Sequence, residues 1–338
     1  MSDVAVIAFA QAPNVRRTEG TTNGVEMLVP IFAEVFQRTG LSKEDIGFWC
    51  SGSSDYLAGR AFSFISAVDA IGAFPPIHES HVEMDAAWAL YEAWLKIRMG
   101  EVETALVYGF GKSSAGQLRR VLSLQLDPYT VAPLWPDSIS IAALQARMGL
   151  DAGLWSEKDL AEVAAQYRGS DASSLLDEPY LADPLRRHDV APITDGAAVI
   201  ILASAQRAKE FAERPALITG IEHRVDSPVL GARDLTRAPS AEAAARAAGA
   251  DDVQVAELHA PFTHQELILR TAFGLDENVR VNPSGGTLTA NPMFSAGLAR
   301  IGAAAEEVFA GRADRVLAHA TSGPALQQNL VAVMEGLD

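Results

Sequence analysis

The chain has 338 residues, is 49% hydrophobic and 21% charged, and so is long enough for one very large or two ordinary domains with a substantial core. A net charge of −16 argues against a phosphate backbone as partner, and the single cysteine, Cys50, excludes an internal disulfide and a Cys-rich metal cage. No apolar run approaches the ~20 residues of a membrane-spanning helix, and the short acidic opening lacks a charged and then long apolar leader. These features predict a cytoplasmic protein with no integral membrane segment and no nucleic-acid partner.

In chain order, residues 3–9 (DVAVIAF) read as a buried strand, and 24–39 as an amphipathic helix stopped by Gly40. A second apolar segment covers 46–50. Residues 83–99 form the clearest helix of this half, with Met84, Ala87, Trp88, Tyr91 and Leu95 on one stripe and Gly100 at its end. A strand at 104–108 follows at once, so strands and helices alternate as in a layered α/β fold. From about 121 to 190 the character changes: five X-Pro pairs surround a helix near 157–167, an excursion from the core. The core pattern resumes at Thr194-Asp-Gly-Ala-Ala198 and the strand 199–203. A second αβ half begins near residue 215, with strands at 253–258 and 316–320.

Four segments stand out as sites for chemistry. The first runs from Asn282 to Gly302 (NPSGGTLTANPMFSAGLARIG). Gly285 and Gly286 admit close backbone approach there, and Asn291-Pro292 forms a tight turn before a helix. The second, Glu257-Leu-His259-Ala-Pro-Phe262-Thr-His264-Gln-Glu266, brings two histidines and a glutamate to the end of a strand. Thr263 with Glu266 three residues on also fits a helix capping box. The third is the 194–198 motif, and the fourth is His319-Ala-Thr-Ser322-Gly323-Pro324 after the last predicted strand.

Together and in this order the four segments resemble the thiolase superfamily, specifically its sterol-carrier and lipid-transfer branch, over nearly the whole chain. The resemblance implies a thiolase fold: two similar βα halves in α-β-α-β-α layers, with a shortened inserted loop domain. On that plan residues 1–120 and 191–210 form the N-terminal half, 121–190 the insertion and 211–338 the C-terminal half. Glu83 stands where the family's nucleophilic cysteine is expected. Ala290-Asn291-Pro292 replaces the family's Gly-His-Pro, and no thiol lies near 320–322. His259 is the surviving member of the branch's His-x-x-Phe turn.

Thiolytic chemistry is thereby left without its expected nucleophiles, whereas retro-aldol chemistry needs none: it needs a base for a hydroxyl and donors for an enolate oxygen. The resemblance therefore implies a subunit of an aldolase that splits a β-hydroxyacyl-CoA steroid side chain into a ketone and a shorter acyl-CoA. Acyl-CoA would be the substrate, with no cofactor and no metal. Catalytic candidates are His259, Asp85 and His264; substrate-binding candidates are Glu83, Asn291, Ser322 and Gly323. A carboxylate at a helix N-terminus, as at Glu83 or Asp85, is expected to be held ionised.

The implied partners are a second thiolase-like subunit, in a hetero- or homo-oligomer, and a small OB-fold, zinc-ribbon acyl-CoA-binding protein. Cysteine-free aldolases of this kind use a C-terminal tyrosine, yet all six tyrosines (Tyr56, Tyr91, Tyr108, Tyr129, Tyr167 and Tyr180) precede residue 181. Two alternatives stay open on the sequence: a non-catalytic scaffold or acyl-CoA-binding subunit of a hetero-oligomer, and a residual acyl-CoA thiolase.

Overall fold

A computed structural model describes residues 2–19, 24–55 and 63–337. Tyr56 lies outside them. In chain order the N-terminal half supplies β1 (Val4–Gln11), α1 (Gly24–Thr39), β2 (Phe48–Gly52), α2 (Ser63–Ile71), β3 (Glu79–Val82), α3 (Ala86–Arg98) and β4 (Thr104–Gly111). A long excursion carrying α4 (Ser138–Asp151) and α5 (Glu157–Arg168) then leads back to β5 (Gly196–Ser204). The C-terminal half supplies β6 (Ala216–Val225), α6 (Pro239–Ala248), β7 (Val255–Glu257), α7 (Thr263–Ala272), β8 (Arg280–Val281), α8 (Ala296–Phe309), β9 (Arg315–Ser322) and β10 (Gln328–Gly336).

The ten strands hydrogen-bond in the order β8-β7-β9-β10-β6-β1-β5-β4-β2-β3. Each half repeats one plan: its third, second, fourth, fifth and first strands lie side by side. The first pairs in that order are parallel and the rest antiparallel. Within the sheet the two halves meet where Ala5 and Val6 pair with Leu217 and Ala216. In both halves the crossover from the third strand to the fourth is a long helix, α3 or α8.

Side-chain alternation along the strands sets the layers. On β4, Ala105 and Val107 share one buried cluster with α3, α8 and the inner faces of β9 and β10. Leu106 and Tyr108 point the other way and pack with Leu28, Ile31 and Phe32 of α1. The outward face of the C-terminal half, Leu317, Val331 and Val333, is covered by α6 and α7. The result is α-β-α-β-α, the layered thiolase fold predicted above. Cys50 is wholly buried in the central cluster.

Three local features differ from the sequence-based expectation. The strands at 79–82, 216–225 and 328–336 carried no clear signal of their own. Helix α3 begins at Ala86 rather than 83 because Asp85 occupies its N-cap position. Asn291–Pro292 is not a free turn but a two-residue parallel pairing with Ile193–Thr194.

The tongue that follows, Met293 and Phe294, crosses the end of β4 where only glycine fits. A Cβ on Gly111 would lie 2.1 Å from the Met293 carbonyl oxygen, and one on Gly109 2.4 Å from that of Phe294. Phe294 itself has a left-handed φ of 65°, and its carbonyl accepts the Ala86 N–H at 2.9 Å. Gly111→Ala therefore forces backbone apart without removing any contact. It should lower the unfolding free energy by about 1–3 kcal/mol in urea titration, with the far-UV spectrum retained.

Candidate functional site

The N-termini of α3 and α8, one from each half, meet at a single carboxylate. Asp85 is buried, 5% exposed. Its Oδ1 accepts the N–H of Ala87 (2.9 Å) and of Leu298 (3.1 Å), and its Oδ2 accepts the N–H of Gly297 (2.9 Å). Gly297 is required here, since a Cβ would come within 2.6 Å of both Asp85 Oδ1 and Ala320 Cβ. Burial pushes the Asp85 carboxyl above the ordinary carboxylate range, against the three amide donors. The expected sign was the reverse: the helix ends do favour the anion, but complete desolvation outweighs them. Both oxygens are committed to backbone, so the structure gives Asp85 a capping task rather than the proton-accepting one expected of it.

His259 stands beside this clasp, in the turn between β7 and α7. It is 7% exposed, and its Nδ1 accepts the Thr321 N–H at 3.4 Å. The proton of the neutral ring therefore sits on Nε2. Burial lowers its pKa to about 3, helped by His319 and Arg300 and opposed by a hydrogen bond from the ring to the Asn291 side chain. Asn291 is 9% exposed, with its side chain against the His259 ring. Thr321, Ala320 and the tongue thus bring Asp85, His259 and Asn291 into one region. Ser322 and Gly323 continue from Thr321 at its rim, half-buried and exposed respectively, with Gly323 at a left-handed φ of 75°.

The turn that presents His259 is braced on both sides by the loop after β8. Asn282 Oδ1 accepts the Leu258 N–H (2.6 Å), and Thr287 Oγ1 accepts that of Ala260 (3.1 Å). Below it, Glu257 accepts both the N–H (3.0 Å) and the hydroxyl (2.7 Å) of Ser284, and Arg300 Nη1 reaches Glu257 at 2.9 Å. These residues were not named as functional from the sequence. The Asn-Pro-Ser-Gly-Gly signature was the signal that could have found them.

Two expected site residues stand elsewhere. His264 is fully buried on α7, with Nε2 3.0 Å from Gln145 Oε1 and its ring against Trp155 and Phe262. The first turn of α7 points it into the core behind the insertion, so it cannot act as a base at His259. Glu83 is exposed, and its Oε1 accepts the Asp55 N–H at 3.1 Å; the helix-capping place belongs to Asp85 two residues later. The capping box is also replaced: Thr263 donates its hydroxyl to Asp189 (2.7 Å), while Glu266 accepts from Tyr167 (2.8 Å) and Asn282 (3.0 Å) and pairs with Arg270.

A tyrosine thus reaches the C-terminal half, from α5, but into this brace. Asp195 of the 194–198 motif, finally, gathers Thr18 and Ser114. Burial opposes its ionisation, yet those donors hold its carboxyl below the ordinary range.

Among the described residues no group of His, Cys, Asp and Glu is arranged to hold a metal ion, and no helix is long and apolar enough to cross a membrane.

The electrostatics make two predictions. Asp85→Ala strips the acceptor from three buried N–H groups and should cost about 3 kcal/mol or more, read by urea unfolding. His259 and His264, with pKa values of about 3, and His319, about 4, lie below the unfolded value of 6.5. The unfolded chain therefore binds more protons between those limits. Stability is fully present above about pH 6.5 and lost as pH falls, by about 1.4 kcal/mol per pH unit for each histidine. His264→Gln, which retains a polar partner for Gln145, should reduce that slope by one such share in urea titrations between pH 5 and 7.5.

No protein-family profile matches the chain. An acetyl-CoA acetyltransferase of Methanocaldococcus jannaschii is 25% identical over 351 residues, 89% of this chain and 88% of the relative. One of Methanothermobacter thermautotrophicus is 29% identical over 160 residues, 40% of this chain and 41% of that protein. Among solved structures, human mitochondrial 3-ketoacyl-CoA thiolase superposes with a TM-score of 0.80 at 15% identity, covering 99% of this chain and 98% of that one. The Bacillus anthracis acetyl-CoA acetyltransferase gives 0.79 at 16% identity, covering 99% of each. The fold is the thiolase fold, and the two sequence relatives support a place for the chain in the thiolase superfamily.

Proposed function

We propose that this chain is a thiolase-like subunit acting on acyl-CoA thioesters without a thiol, in retro-aldol cleavage of a β-hydroxyacyl-CoA steroid side chain to a ketone and a shorter acyl-CoA. The observation that carries the reading is chemical. The sole cysteine is sealed in the core with its thiol pushed up to about 12 by burial, while a neutral histidine donor and an amide occupy the site.

In the reaction the β-hydroxyl gives its proton to a base and its C–O bond becomes a carbonyl. The Cα–Cβ bond breaks, and its electron pair passes into the thioester as an enolate, which then takes a proton at Cα. His259 Nε2–H is the donor for the enolate oxygen. Neither Asp85, whose oxygens are committed, nor His264 serves as base, so the base comes from outside this cluster. That supports pairing with a second thiolase-like subunit. The small OB-fold acyl-CoA-binding partner rests on resemblance alone.

One observation favours a scaffold role instead. The anion-attracting ends of α3 and α8, the natural place for reacting charge, are filled by the chain's own carboxylate. The relatives' name, acetyl-CoA acetyltransferase, describes acetyl transfer; for this chain the buried Cys50 weighs against a thiol-based version of it.

The test is ketone release from a tertiary β-hydroxyacyl-CoA by the chain with its thiolase-like partner. His259→Ala should lower kcat by about 10²–10³ with KM little changed, and exposure to acyl-CoA should leave the intact mass of the chain unaltered. Full activity in His259→Ala would assign the chemistry to the partner, and a covalent acyl adduct would restore the thiolase reading.

A further inference from the structure

Glu266 on α7 is a fully buried carboxylate. Such a group offers about four lone-pair positions, and each one here has a donor. Arg270 gives Nε and Nη2 protons to Oε1 at 3.1 and 2.8 Å, while the Tyr167 hydroxyl (2.8 Å) and Asn282 Nδ2 (3.0 Å) donate to Oε2. Tyr167 comes from α5, so the insertion enters this network directly. The consequence falls on Asn282. A carboxylate only accepts, and the Tyr167 hydroxyl, having given its one proton to Glu266, also accepts from Nδ2, at 3.3 Å. Both groups therefore face the NH2 edge of the amide and turn its Oδ1 to the Leu258 N–H, 2.6 Å away. Burial, then the Glu266 charge, raises the pKa of the Tyr167 hydroxyl, which keeps its proton in place. The amide has little room to slide: Asn282 is 3% exposed at a left-handed φ of 50°, and a Cβ on Gly286 would lie 2.9 Å from its Cγ.

Leu258 directly precedes His259, whose tautomer is set by a bond that is already long, from the Thr321 N–H to Nδ1 at 3.4 Å. A small outward displacement of the turn breaks that bond, and with it the reason for the single ring proton to stay on Nε2. We infer that Tyr167 is a positioning residue for His259: from the insertion, through Glu266 and Asn282, its hydroxyl holds the turn that presents the Nε2 proton. The inference rests on the acyl-CoA reading proposed above, in which that proton serves the enolate oxygen, and it gives the insertion a part in the chemistry. Tyr167 acts through the brace and takes no proton from the substrate.

The test compares two hydroxyl deletions in the full-length chain with its thiolase-like partner. Tyr167→Phe removes a donor from Glu266 and an acceptor from Asn282. Tyr180→Phe removes the same kind of bond, to Glu157, within the insertion but outside this network. Two quantities are read: ketone release from a tertiary β-hydroxyacyl-CoA, and the ring-nitrogen magnetic resonances of His259 in histidine-labelled protein, assigned by their loss in His259→Ala. Tyr167→Phe should lower kcat by about tenfold or more with KM within about twofold, and should introduce the Nδ1-protonated form of the ring. Tyr180→Phe should leave kcat and the ring as in the wild type, even where both variants lower the thermal midpoint equally. Wild-type kcat with an unchanged ring in Tyr167→Phe overturns the inference, as does an equal loss of kcat in Tyr180→Phe. If Tyr167→Phe does not fold, Glu266→Gln, which keeps the side chain's shape but sets a donor where only acceptors stand, must produce the same two changes, and wild-type values there overturn the inference. Absence of ketone release from the wild-type pair would remove the lyase reading alone. The ring resonances then decide the inference: it stands if Tyr167→Phe alters them and falls if they are unaltered.

Discussion

The fold hinges on a carboxylate placed between two helix N-termini. Helices α3 and α8 each belong to one half of the duplicated plan, and both carry their positive dipole ends to the same point in the interior. Left bare, two such ends would repel each other and leave amide groups unsatisfied. Asp85 answers both problems, accepting from Ala87 of its own helix and from Gly297 and Leu298 of the other. The absent side chain at Gly297 is what lets the second helix come that close. The central layer is therefore joined by electrostatics at one end and by apolar packing along its length.

His259 depends on the same economy of donors. Its backbone neighbours are held by Asn282 and Thr287, its Nδ1 by Thr321, and a buried Glu257–Arg300 pair lies beneath it. These bonds fix the ring and its tautomer, while burial keeps it uncharged. Such a ring is suited to giving a hydrogen bond to developing negative charge and unsuited to carrying protons in and out.

Much of this was legible in the residues. The 3.6-residue stripe of 83–99 and the apolar run at 199–203 gave α3 and β5 because burial on a layered core writes strong periodicity. The ordered motifs at 194–198, 257–266, 282–302 and 319–324 pointed to the fold. What stayed hidden was direction. Spacing could not show that α7 turns His264 toward Gln145 while the preceding turn leaves His259 facing Thr321. Nor could it show that Asp85, and not Glu83, caps the helix, or that burial outweighs the dipole at that carboxyl. β6 and β10 were missed because their pattern is set by pairing with each other over a hundred residues of chain.

The place of β5 has a consequence for how the chain reaches this structure. It lies between β1 and β4 in the sheet, yet follows both by way of the whole excursion that carries α4 and α5. The N-terminal half therefore has a gap at its centre until residue 204 has been made, and Asp195 must find Thr18 across 177 positions of sequence. Long-range closure of this kind is slow, because chain entropy is spent before contacts return it. During synthesis, β1 and β4 wait with unpaired edges while the insertion emerges, so the insertion's length sets the interval in which the nascent chain is most open to aggregation and most in need of chaperone shelter.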